Sequence, residues 1–139
     1  MKKLRFALVS ALLTFSVAVG AETQTIRDAS GRIVGTATTD GSRTTYRDAQ
    51  GRITATAANY GGGTTTYRDA QGRIIGSQTP HGSGSSFRDA QGRTVATSCN
   101  SGSSTTYRDA RGRIVGTATQ SGGGTTYRDA QGRIRGTKR

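Results

Sequence analysis

The chain has one cysteine, one histidine, one proline, one methionine and no tryptophan in 139 residues. A lone Cys99 cannot form an internal disulfide, so no disulfide framework holds the fold. Cys99 is a free thiol or a site of intermolecular pairing. His81 lies beside Pro80 in the least regular segment, with no second imidazole for a proton relay or metal cluster. Serines are plentiful, but no acid–base pair is specified for them. Acidic residues number eight against 20 Lys and Arg, a formal net charge of +12. One Asp per repeat, flanked by Arg, cannot supply the converging carboxylates of a calcium-binding β-roll. Gly61-Gly62-Gly63 lacks the lysine and strand-to-helix setting of a phosphate loop. These shortages argue against catalysis and leave no residue set for a metal or cofactor.

Long apolar runs are also missing, with one exception. Lys2, Lys3 and Arg5 precede an apolar stretch from Ala7 to Val19, and Gly20 and Ala21 are small. This order predicts a signal peptide over residues 1–21, cut after Ala21. The stretch is shorter than the roughly 20 residues a membrane helix needs. The expected mature chain, 22–139, would be periplasmic or secreted and carry no membrane span. It holds 17 basic and eight acidic residues, a formal charge of +9.

What is abundant is repetition. The core Arg-Asp-Ala-x-Gly-Arg occupies 27–32, 47–52, 68–73, 88–93, 108–113 and 128–133. The spacing is 20 residues except for one step of 21, between Arg47 and Arg68. One large residue precedes each core: Ile26, Tyr46, Tyr67, Phe87, Tyr107 or Tyr127. A β-prone tail and a Gly/Ser segment follow. Thr, Tyr, Ile and Val favour strands, and glycine recurs too often for helix interiors. Each unit therefore reads as strand, turn, strand, turn. Asp28, Asp48, Asp69, Asp89, Asp109 and Asp129 are expected turn-formers, because Asp accepts from a backbone N–H two residues on. Gly31, Gly51, Gly72, Gly92, Gly112 and Gly132 can take the left-handed conformation that closes a tight hairpin.

Two registers fit this turn. A four-residue loop pairs Arg47 with Arg52 and Tyr46 with Ile53. It separates a Tyr/Ile face from an Arg/Thr face and is the preferred reading. A three-residue loop with a bulge at Gly51 pairs Asp48 with Arg52 and Arg47 with Ile53. A slip of one residue turns a strand's side chains to the opposite face. Hairpins in series predict a curved all-β antiparallel meander of about twelve strands, about 55 Å across if flat. A β-solenoid would stack Arg on Arg at about 4.8 Å, which like-charge repulsion disfavours. A largely disordered polycation is the remaining alternative. One sheet with a thin apolar face buries little, so the sheet is expected to curl, to pair with itself through the Tyr/Ile face, or to need a partner.

The Asp-x-x-Gly-Arg core resembles the YD repeats of RHS-type bacterial surface and toxin proteins, over all six units from Thr25 to Thr137. The matching positions are the aspartates and glycines named above and the arginines after the glycines. In YD repeats the aromatic directly precedes Asp; here Arg stands there and the aromatic lies one residue earlier. The resemblance implies an extracellular sheet of antiparallel hairpins. A looser similarity is to the secreted curlin repeats of surface fibres.

The arginines are the candidate binding residues: Arg27, Arg32, Arg47, Arg52, Arg68, Arg73, Arg88, Arg93, Arg108, Arg113, Arg128 and Arg133. Arginine suits planar recognition of carboxylate and phosphate. Two roles follow for the protein. It is expected to be a non-enzymatic structural or interaction module of the cell envelope or exterior. The alternative is a polyanion-binding module for lipopolysaccharide, acidic glycan or nucleic acid. Local pairing of Arg with Asp would serve the first role without the second.

Overall fold

The computed structural model describes residues 21–139; the expected signal peptide otherwise lies outside the described residues. The twelve strands are β1 (Glu22–Asp28), β2 (Ile33–Asp40), β3 (Arg43–Asp48), β4 (Ile53–Asn59), β5 (Thr65–Asp69), β6 (Ile74–His81), β7 (Gly84–Asp89), β8 (Thr94–Ser101), β9 (Ser104–Asp109), β10 (Ile114–Ser121), β11 (Gly124–Asp129) and β12 (Ile134–Lys138). Each pairs antiparallel with the next, and β12 returns to pair with β1, so the meander is a closed barrel. Ile26 faces Lys138, Arg27 faces Thr137 and Asp28 faces Gly136 across the seam. Backbone bonds between Thr25 and Arg139, 2.6 and 3.1 Å, extend it. Closure leaves no unpaired sheet edge, the feature by which open sheets aggregate.

The hairpin register corrects the preferred expectation. Arg47 faces Ile53, not Arg52. Asp48 and Arg52 close the turn instead: the Asp48 N–H donates to the Arg52 carbonyl at 2.9 Å, and the Gly51 N–H donates to the Asp48 carbonyl at 3.0 Å. This is the three-residue loop with its bulge at Gly51, whose φ of +81° is a left-handed value that glycine tolerates. A second bulge follows at Thr54, because Arg47 faces Ile53 whereas Tyr46 faces Ala55. The same skip occurs at Val34, Ile75, Val95, Val115 and Arg135. The doubled bulge places the aromatic opposite a small residue and sends the isoleucine to the other side of the sheet.

The joint Tyr/Ile face therefore does not form. Tyr67, Phe87, Tyr107 and Tyr127 are buried inside the barrel, while Ile33, Ile53, Ile74, Ile114 and Ile134 remain 43–49% exposed outside it. Pairing of two copies through such a face, one expected partner mode, loses its structural basis.

The lumen is a packed core. Tyr67 lies between Ala57 and Gly76, and Tyr127 between Ala118 and Gly136. Phe87 lies between Gln78 and Ala96, and Tyr107 between Ser98 and Gly116. Apart from Gln78, each of these rings is flanked by Ala, Gly or Ser, and this alternation of large and small residues lets the rings fill the lumen. Tyr46, Ile75 and Val115 pack against this cluster. Gly76 is tied to its place, since a Cβ there would come 2.5 Å from the Arg88 carbonyl oxygen.

At the other end of each strand pair the chain turns in two residues, as at Gly41-Ser42 between the paired Asp40 and Arg43. The exception is the loop of residues 60–64 between the paired Asn59 and Thr65. It absorbs the extra residue of the 21-residue step without disturbing the register of either strand.

Candidate functional site

Alternate turns of an antiparallel meander lie at the same end. All six Arg-Asp-Ala-x-Gly-Arg turns therefore crown one end of the barrel. Each is held by its own aspartate. In the second unit, Asp48 Oδ1 accepts from the N–H groups of Gln50 at 3.0 Å and Arg52 at 2.9 Å. Asp48 Oδ2 accepts from Arg52 Nε at 2.8 Å. The first arginine braces the turn from outside: Arg47 Nη1 donates to the Gly51 carbonyl at 2.8 Å. That bond recurs from Arg27, Arg68, Arg88, Arg108 and Arg128 to the glycine of each turn.

The second arginine is held by one edge and open at the other. Arg52, Arg73, Arg93, Arg113 and Arg133 each bond Asp Oδ2 through Nε at 2.8–3.1 Å, with side chains 67–76% exposed. Arg32 makes no such ion pair with Asp28. Fixing Nε orients the guanidinium plane, and the outward Nη groups are the donors that bind carboxylate or phosphate in pairs. Arg135, at the bulge position that is aliphatic or Thr elsewhere, adds a second ion pair to Asp129 at 2.8 Å.

Burial by itself would raise the carboxyl of Asp48, but the backbone N–H groups and Arg52 outweigh it and hold it below the ordinary carboxylate range. Asp69, Asp89 and Asp129 follow the same balance. For Asp109 the N–H of Arg113 is the leading influence and also lowers it. These aspartates stay charged at neutral pH and are committed to the turns.

Charge is strongly segregated. The twelve motif arginines with Arg111 and Arg135 stand at the crown against six aspartates, a local balance of +8. The remaining Glu22, Asp40, Arg43, Lys138 and Arg139 belong to the glycine-turn end and sum to +1. The sequence lists the arginines but hides this segregation. The available signal was that the motif marks every second turn.

The glycine-turn end has a polar mouth of about 350 Å³, bordered by Glu22, Gln24, Thr125, Lys138 and Arg139. His81 Nε2 lies 2.7 Å from Ser86 Oγ in an exposed position. Among the described residues no carboxylate hydrogen-bonds that histidine, and no group of three potential metal ligands exists. Cys99 is exposed. Within the lumen Tyr67 Oη donates to Gln78 Oε1 at 2.8 Å, and Gln78 Nε2 donates to Ser85 Oγ at 2.9 Å. Burial raises the Tyr46 and Tyr127 hydroxyls to about 12 and also raises those of Tyr67 and Tyr107.

Comparison with protein-family models, with curated proteins and with solved structures finds no match to this chain.

Proposed function

We propose that this is an exported, non-enzymatic interaction module of the cell envelope or exterior whose arginine crown binds a polyanion. The observation that carries the reading is the segregation of charge, with +8 gathered at one end of a barrel whose other end is nearly balanced. Such a ring focuses positive potential over one face and steers anionic polymers to it. Equivalent arginines in neighbouring hairpins recur at roughly 9.6 Å, two strand spacings. A chain of phosphates or carboxylates laid across the crown would meet several of them at once. The aspartates do not cancel this, because five of the six engage one edge of the second arginine through Nε and leave that arginine's side chain 67–76% exposed.

The test is retention on immobilised heparin over a range of sodium chloride. Binding at low salt that weakens steeply as salt rises supports the reading, since each neutralised anionic group releases counterions. Replacing Arg52, Arg93 and Arg133 by Gln should lower the eluting salt, while Arg43→Gln at the far end should not. Absence of retention at low salt would overturn the proposal.

A further inference from the structure

The crown carries more than charge. The bulged register sets an aliphatic residue directly across from the first arginine of the motif: Arg27 faces Ile33, Arg47 faces Ile53, Arg68 faces Ile74, Arg108 faces Ile114 and Arg128 faces Ile134. In the fourth hairpin Arg88 faces Thr94. The five isoleucines are all 43–49% exposed, on the outer wall just behind the turns, and Val34 and Val95 next to that row are exposed at 46% and 45%. Cationic and aliphatic side chains thus alternate around one end of the molecule.

The rest of the wall is different. Outward pairs such as Thr45 with Thr56, Thr66 with Ser77, and Thr106 with Thr117 are hydroxylic. A barrel that spans a bilayer wears an apolar outer band about 25 Å tall. Here the aliphatic band is one row deep and confined to the crown.

We infer that the rim of the crown docks obliquely on the surface of an anionic phospholipid bilayer, with the arginines on lipid phosphates and the isoleucines of the contacting side among the headgroups. This rests on the polyanion reading and narrows it. A soluble polyanion would use the arginines and leave the isoleucines in water; a lipid surface uses both. Each isoleucine lies directly across from an arginine on the outer wall, at the same level of the strand pair, so a lipid surface that meets one also meets the other.

The test is co-sedimentation of the protein with vesicles of phosphatidylcholine alone or mixed equally with phosphatidylglycerol, run beside the heparin column. The mixed vesicles should bind the protein and the neutral ones should not. The triple variant Ile53→Ser, Ile114→Ser, Ile134→Ser changes exposed positions only. Its partitioning to mixed vesicles should fall by about tenfold or more, given the apolar area withdrawn, with circular dichroism and heparin elution unchanged. Heparin binding without vesicle binding would overturn the lipid inference and leave the polyanion reading standing. Vesicle binding indifferent to the isoleucine changes would reduce the contact to charge alone and overturn the isoleucines' role. Loss of both heparin and vesicle binding would overturn both proposals.

Discussion

Arg52 reaches Asp48 twice, through its backbone N–H to Oδ1 at 2.9 Å and through Nε to Oδ2 at 2.8 Å. One carboxylate thus closes the turn and aims the guanidinium. The two functions separate by substitution. In Asp89→Asn the side-chain oxygen still accepts from the N–H groups of Gln91 and Arg93, but the charge that orders the Arg93 side chain is gone. In Asp89→Ala both backbone donors lose their acceptor. Thermal melts should rank wild type above Asn and Asn above Ala. An Ala variant as stable as the Asn variant would show that the turn does not depend on its aspartate.

Acid should loosen the barrel through these same groups. Five aspartates have folded pKa values below their ordinary value. A depressed carboxyl stabilises the fold above its unfolded pKa, about 3.9. That contribution is lost as pH falls through the folded value. Melting temperature should be flat with respect to these groups from pH 7 to about 5 and decline below about 4.

The tyrosines set the opposite limit. Burial raises Tyr46 and Tyr127 to about 12. A raised hydroxyl stabilises the fold fully below its unfolded pKa of about 10, and the contribution disappears as pH rises through the folded value. In a variant with the exposed Tyr60 replaced by Phe, tyrosinate absorbance should therefore rise together with loss of the strand spectrum above about pH 10. Full ionisation of the tyrosines with the strand spectrum intact would contradict their burial.

Phe87 tests the lumen. It is 5% exposed and packed among buried rings and alanines. Phe87→Ala should cost about 3–5 kcal/mol in denaturant unfolding, the usual range for a large cavity in a tight core. Gly92→Ala tests the turn, where φ is +80°. It should cost about 1–2 kcal/mol, the penalty a Cβ meets in that conformation.

Closure can be tested by removing residues 134–139. The deletion takes away β12 and leaves β1 and β11 each with a bare edge. Size-exclusion chromatography should show concentration-dependent oligomers, because bare edges recruit other chains. A monomeric product with an unchanged melt would mean that the seam adds little.

The strand count, the antiparallel order and both kinds of turn were legible in the repeat. The hairpin register was not. Separating Tyr46 and Ile53 from Arg47 and Arg52 by face favoured the four-residue loop, because burial usually decides register. Here the turn chemistry of Asp48 and Gly51 prevails locally, and the extra residue at Thr54 restores burial one step later. The second bulge has no composition of its own, since Val, Thr, Ile and Arg all occupy it. Closure was equally hidden: nothing in one repeat states how many are needed to bring the last strand to the first. The crown followed from both, being a list of arginines until the topology gathered them.

The seam between β12 and β1 has the register found between β2 and β3. Gly136, Thr137 and Lys138 face Asp28, Arg27 and Ile26 as Gly35, Thr36 and Ala37 face Asp48, Arg47 and Tyr46. The first and last strands thus meet where four of the other five junctions have a two-residue glycine turn and the fifth has the loop of residues 60–64. The barrel is a necklace of six equivalent beads whose clasp lies in one of six interchangeable places. In a variant made of residues 22–139, joining 22 to 139 by a short glycine link and cutting at Gly102-Ser103 would reorder the strands along the chain while leaving the same ring, with the arginines undisturbed at the opposite pole.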